Sequence, residues 1–155
     1  MFGFMFVIVG AALAAGLAGA GSAFGTGIAG QAANGVTSED PGKFGSLLVL
    51  QALPGTQGIY GLVALFMIAG KLPEPEAFGG ISVSTGLAMV GAALPVAITG
   101  LVSGIYQGKV CAAACSLVAK RAGEVGKGMV YAVIVETYAV LGLLGTILLL
   151  QRINM

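Results

Sequence analysis

The 155-residue sequence has no histidine, no tryptophan, two cysteines and only 8% charged residues. Ordinary soluble domains carry roughly a quarter, so a water-facing surface cannot be assembled from this chain. Cys111 and Cys115 lie four apart, with no second pair or histidine to complete a zinc site. They read as small packing residues. There is no GxxxxGK[ST] phosphate loop, which leaves any nucleotide chemistry to partner chains and predicts no catalytic site here. A net charge of +1 offers no basic surface for nucleic acid.

What the chain has instead is apolar length. Hydrophobic residues make up 57% of it, and residues 1 to 38, 44 to 70 and 77 to 108 carry no charge. Each run exceeds the roughly 20 residues that cross a bilayer as a helix. A fourth run, 128 to 151, holds a single charge, Glu136. The first run lacks a basic leader and is too long for a signal-peptide core, so it is expected to be a retained helix. The expected fold is therefore an all-α membrane protein of four transmembrane helices.

Polar and turn residues gather at Asn34 to Lys43, Lys71 to Gly80 and Lys120 to Lys127, which predicts two hairpins, 1–76 and 77–155. The halves resemble each other. Pro41 to Gly45 is echoed by Ala122 to Gly126, with Gly45 and Gly126 81 apart, while Gln57 and Glu136 are 79 apart. A duplicated hairpin with a small shift explains both spacings and puts the repeats in one orientation, unlike inverted-repeat transporters. Lys43, Lys120, Arg121 and Lys127 lie on the hairpin-loop side, against Lys71 and Arg152 on the other. The positive-inside rule then places the loops in the cytoplasm and both termini outside.

Small residues recur every four positions in the first and third helices: Gly21, Gly25, Ala29 and Ala33, and Gly100, Gly104, Gly108 and Ala112. Such faces let backbones approach closely in lipid. They fit either packing within one bundle or the inner wall of an oligomer.

An ionisable group in mid-membrane costs about 2.5–3.5 kcal/mol on insertion scales and marks function. Glu136 is that group. Gln107 lies 15 residues before the loop centre near residue 122 and Glu136 14 after it, so at 1.5 Å per residue they are nearly level. In the second helix, Leu53, Thr56, Gln57 and Tyr60 share a face by their i, i+3, i+4, i+7 spacing. Pro54 lacks an N–H and disturbs the turn before it, which predicts a freed backbone carbonyl. A carboxylate, two amides, a hydroxyl and a carbonyl make an all-oxygen shell for a hard cation. A proton needs the carboxylate alone, so the extra oxygens favour Na⁺ over H⁺. Lys109 follows Gln107 by two residues and turns about 200° from its face, toward an oligomer cavity or the cytoplasmic side.

Three segments, LQALPGTQGIYG (50–61), SGIYQGK (103–109) and VIVETYAVLG (133–142), make the chain resemble the duplicated proteolipid subunits of bacterial V-type sodium-pumping ATPases. The resemblance covers essentially the whole length. It implies a cell-membrane rotor ring of identical subunits turning against a stator subunit that carries an arginine, with central-stalk and ATP-hydrolysing partners. It also implies Na⁺ ligation by the Leu53 carbonyl, Thr56, Gln57, Gln107 and Glu136, with Tyr60 hydrogen-bonding the carboxylate. Proton-pumping vacuolar relatives resemble the fourth helix but lack the PGTQG pattern. Alternatives are a proton-translocating ring of the same family, a small dimeric cation or drug exporter, and a purely structural oligomeric channel. The parallel repeat and the lack of tryptophan speak against the exporter, and Glu136 is left unexplained by the channel.

Overall fold

The computed structural model describes residues 1–154, and among them all regular structure is helical. Helix α1 spans Phe2–Glu39. The second crossing is α2 (Phe44–Ala52) and α3 (Thr56–Ala69), joined through a 3₁₀ turn at Leu53–Gly55. The third and fourth are α4 (Val83–Lys120) and α5 (Val125–Leu150). All four crossings are long and apolar enough to span a bilayer, and the chain is a multi-pass membrane protein. At 38 residues, α1 and α4 are each about 57 Å long, nearly twice the roughly 30 Å hydrocarbon core. They project beyond it.

That projection corrects the expected first break. The polar residues from Asn34 onward lie inside α1, where Thr37 donates to the Ala33 carbonyl at 2.8 Å and Ser38 to that of Gly35 at 2.7 Å. Polar side chains are tolerated on a helix that has left the hydrocarbon. The helix stops at Asp40 (φ −140°, ψ 89°), where the following Pro41 disfavours α geometry. Arg121 takes the same conformation (φ −145°, ψ 86°) after α4. Lys43 ties the two loops together, donating to the Ala119 carbonyl at 2.7 Å while pairing with Asp40 at 3.1 Å. At the opposite end, Phe78 stacks on Phe4 at 4.3 Å.

The duplication runs at a constant offset of 81 residues, without the shift inferred from sequence. Helix α4 starts and ends 81 residues after α1, and the second and fourth crossings end at Ala69 and Leu150. The counterpart of Gln57 is thus Tyr138, and that of Glu136 is Gly55. An offset of 79 instead marks residues that touch. A side chain on Gly10, Gly21 or Gly25 would strike the backbone of Met89, Gly100 or Gly104 in turn. These contacts advance together along both helices, so α1 and α4 run parallel.

The two small-residue stripes therefore meet inside one chain. Gly108 faces Gly25, and Gly104 faces Gly21. Glycine is required at such positions because any Cβ would occupy the neighbouring backbone. Large apolar side chains such as Ile59, Phe66, Ile98, Ile134 and Leu141 are left on the outside, the reverse of a soluble bundle. Inside, one apolar cluster gathers Val7, Ile68, Met89 and Leu150, and a second gathers Ala29, Leu50, Cys111 and Ala132. Between the two clusters lies a layer that holds the buried polar residues Gln57 of the second crossing and Ser103 and Gln107 of the third.

Candidate functional site

Three crossings converge on this polar layer. From α3, Gln57 donates through Nε2 to Gln107 Oε1 of α4 at 2.5 Å. Gln107 Nε2 in turn donates to Glu136 Oε2 of α5 at 3.2 Å. Tyr60, one turn after Gln57, donates its hydroxyl to Glu136 Oε1 at 2.7 Å. Both carboxylate oxygens are thereby held by neutral donors from two other helices. Gln57 and Gln107 are fully buried, while Glu136 and Tyr60 are half-buried, which places the carboxylate at the edge of the bundle.

The local fold explains how Gln57 reaches this point. Pro54 is buried and turns Leu53–Gly55 into a 3₁₀ segment, because its ring cannot take part in the α ladder. Gly25 makes room for that ring: a Cβ there would lie 2.7 Å from Pro54 Cβ. Pro54 removes the α-helical donor of the Leu50 carbonyl, four residues back, whereas the Leu53 carbonyl is engaged. It accepts the Thr56 N–H and, at 3.1 Å, the Thr56 hydroxyl. Pro54 disturbs the ladder, but tightening to 3₁₀ geometry supplies the carbonyl with nearer donors. Leu53 and Thr56 thus form one local oxygen pair a turn below Gln57 and Tyr60.

All six residues singled out from the sequence, Leu53, Thr56, Gln57, Tyr60, Gln107 and Glu136, lie on these converging stretches. Four of them are linked in one hydrogen-bonded chain across three helices. Lys109 is exposed and lies over the Tyr106 ring at 4.6 Å, turned away from the chain. Cys111 and Cys115 are free and buried, with Cys115 Sγ 4.0 Å from the Ala29 carbonyl, as packing residues would be.

Two serines escaped the sequence reading. Ser22 of α1 accepts the Gly58 N–H at 2.8 Å, bracing the crossing just past its proline. Ser103 of α4, within SGIYQGK and one turn before Gln107, is buried without a hydrogen-bond partner. The one available signal was its four-residue spacing from Gln107.

A single carboxylate among neutral polar side chains suits one positive charge. Among the described residues no cluster of three or more His, Cys, Asp or Glu exists, so the arrangement does not fit a divalent cation in lipid, whose second charge would stay unbalanced.

The family model for the ATP synthase C-subunit matches residues 9–68 and again 80–149. The V-type sodium ATPase subunit K of Enterococcus hirae is 46% identical over 147 residues, covering 95% of this chain and 91% of that protein. The A-type ATP synthase subunit K of Methanocaldococcus jannaschii is 46% identical over 144 residues, covering 92% of this chain and 60% of that protein.

Proposed function

Because this chain belongs to the ATP synthase C-subunit family, the membrane rotor proteolipids of ion-translocating ATPases, we propose that its cargo is Na⁺ and that the ion rides on Glu136. The observation that carries this reading is the chain of contacts from Gln57 through Gln107 to Glu136, joined by Tyr60. It brings two amides and a phenol to one carboxylate, more neutral polar groups than proton transfer needs. The name of the Enterococcus relative, a sodium ATPase subunit, points the same way.

In this reading Na⁺ is bound by the Leu53 carbonyl, the Thr56 hydroxyl, the side-chain oxygens of Gln57 and Gln107, and Glu136. Gln57 Oε1 is buried with no hydrogen-bond partner and is available to the ion. Gln107 holds the carboxylate through Nε2, and its Oε1, which accepts from Gln57 Nε2, has a second lone pair for the ion. Tyr60 keeps one carboxylate oxygen fixed while the other takes the ion. With Na⁺ bound the site is neutral and can pass through lipid, where a bare carboxylate costs several kcal/mol.

Identical subunits form the ring, each contributing the hairpins 1–76 and 77–155. A stator subunit exchanges the ion, its arginine competing for Glu136, while central-stalk and ATP-hydrolysing subunits supply the torque. This chain has no catalytic site of its own. It lies in the cell membrane with the loops after α1 and α4 cytoplasmic and both termini external, an orientation supported by Lys43, Lys120, Arg121 and Lys127 on the loop side.

The test is carbodiimide labelling of the intact complex at neutral pH. Glu136 should be modified, Na⁺ should protect it, and K⁺ should protect poorly. Protection by Na⁺ should weaken as the pH falls, since protons compete for the same oxygens. Labelling indifferent to Na⁺ would transfer the cargo to H⁺.

A further inference from the structure

Just past Pro54 the second crossing takes a hydrogen bond from outside itself. In an unbroken α-helix the Gly58 N–H would donate to the carbonyl four residues back, that of Pro54. It donates instead to Ser22 Oγ of α1 at 2.8 Å. The neighbouring approaches of α1 to this crossing, Gly25 to the Pro54 ring and Ala14 and Ala18 to Gly61, are steric. They set how near the two helices lie. A directed hydrogen bond also sets rotation.

The duplication shows that this bond belongs to the break. Helix α4 carries a serine at the counterpart position, Ser103, and α5 carries Ala139 where the second crossing has Gly58. There the helix is continuous, the Ala139 N–H stays within it, and Ser103 Oγ has no hydrogen-bond partner. The same serine is engaged only beside the proline.

What the bond holds in place is the polar face of α3. That helix begins at Thr56, so Thr56, Gln57 and Tyr60 all lie in its first five residues. A 3₁₀ turn advances about 120° and 2.0 Å per residue, an α-helix about 100° and 1.5 Å. Rewinding Leu53–Gly55 into α geometry would therefore rotate α3 by about 60° against α2 and shorten the crossing by about 1.5 Å. Gln57 meets Gln107 at 2.5 Å and Tyr60 meets Glu136 at 2.7 Å. Neither bond survives such a turn. Pro54 interrupts the ladder, but the rotation of the helix that follows is set where its first amides find acceptors, and Gly58 finds one on α1.

We infer that Ser22 is a positioning residue of the ion site: by holding the Gly58 N–H it keeps Leu53–Gly55 in the 3₁₀ turn and fixes the rotation at which Thr56, Gln57 and Tyr60 face Gln107 and Glu136. This rests on the sodium reading of Glu136. Ser22 acts through Gly58 and contributes no ligand of its own. Without its hydroxyl the Gly58 N–H returns to the Pro54 carbonyl, the turn relaxes toward α geometry, and Gln57 rotates away from Gln107.

The experiment is equilibrium binding of radioactive Na⁺ to the purified intact complex, with ring assembly followed on native gels. The forms are wild type, Ser22→Ala, Ser22→Thr, Ser103→Ala, Gln57→Ala and the double variant of Ser22→Ala with Gln57→Ala. Ser22→Ala removes the acceptor and should bind Na⁺ about tenfold more weakly in an assembled ring. Ser22→Thr keeps the hydroxyl and should stay within about twofold of wild type, as should Ser103→Ala, the same change where no bond exists. Because Ser22 acts through the placement of Gln57, adding Ser22→Ala to Gln57→Ala should weaken binding by less than about threefold further. A full second tenfold loss in the double variant, an equal loss in Ser103→Ala, or a Ser22→Ala ring that fails to assemble would each mean a packing role and overturn the inference. So would Na⁺ affinity unchanged in Ser22→Ala. In each of these cases the site on Glu136 stands. A wild-type complex that binds no Na⁺ removes the sodium reading itself, and the role of Ser22 with it.

Discussion

The two hairpins are the same scaffold put to different uses. Their long helices match in length and in the backbone conformation that ends them. Gly61 and Gly142 even face equivalent neighbours, Ala14 and Ala18 in one hairpin, Pro95 and Thr99 in the other. Yet the second crossing of the first is broken at Pro54 and carries the neutral Gln57 and Tyr60, while that of the second is unbroken and carries the charge. Where the second carries Glu136, the first carries Gly55. Where α4 carries Gln107, α1 carries Thr26, whose hydroxyl is engaged with the Ser22 carbonyl. Duplication provided two copies of a frame, and divergence left one intramembrane carboxylate for four crossings, bonded by Tyr60 of the broken copy and joined through Gln107 to its Gln57.

The largest effect should come from removing that charge. Glu136→Gln keeps the size and hydrogen bonding of the side chain, so the ring should assemble and Na⁺ uptake into vesicles should vanish. An uncompensated cation at the site would cost several kcal/mol in lipid. Moving the carboxylate to its counterpart, Gly55→Glu with Glu136→Gln, should not restore uptake, although only Thr26 Cγ2 lies near that position, at 3.8 Å. Restored transport in the swapped protein would make the hairpins interchangeable and end the comparison.

The shared frame should be next most sensitive. Gly104→Val drives a side chain into the Gly21 backbone, a steric insertion at or above the upper end of the usual 1–3 kcal/mol, roughly. Loss of the assembled ring on native gels is expected. Gly16→Ala, with nothing within 4 Å, should assemble normally within about 0.5 kcal/mol. Equal tolerance of both changes would show that α1 and α4 do not meet as described.

The donor half is tested by Gln107→Ala and Thr56→Val. Each removes one neutral oxygen and should weaken Na⁺ binding about tenfold without disturbing assembly. Unaltered affinity in either variant strikes that residue from the shell. The smallest effect belongs to the tie between the loops. Lys43→Met loses the bond to the Ala119 carbonyl and the exposed pair with Asp40, worth about 1 kcal/mol or less. Thermal denaturation should shift by a few degrees at most, and less at high salt.

Much of this arrangement was legible beforehand because it depends on sums along the chain. Hydropathy revealed four crossings, and the isolation of Glu136 in an apolar run marked it regardless of its neighbours. Helical spacing put Thr56, Gln57 and Tyr60 on one face, and counting from the loop put Gln107 level with Glu136. Helix ends were less legible: Asn34 resembled a break although α1 continues to Glu39, since polarity reports the edge of the hydrocarbon and not the end of the helix. The spacing of 79 between Gln57 and Glu136 resembled a repeat, but the repeat offset is 81 and the two residues are joined through Gln107.

Hydropathy and spacing along the chain are enough to establish a membrane protein of tandem hairpins with one intramembrane carboxylate, because burial in lipid and helical periodicity are properties of consecutive residues. Packing between distant segments brings the glycine stripes face to face within one chain. It also decided that the duplicated frame keeps one register throughout, that the Leu53 carbonyl is occupied by Thr56, and that Ser103 is left without a partner while Ser22 is not. Each of these depends on the relative rotation and translation of helices set by backbone packing between segments about 80 residues apart, and no count along a single helix contains that information.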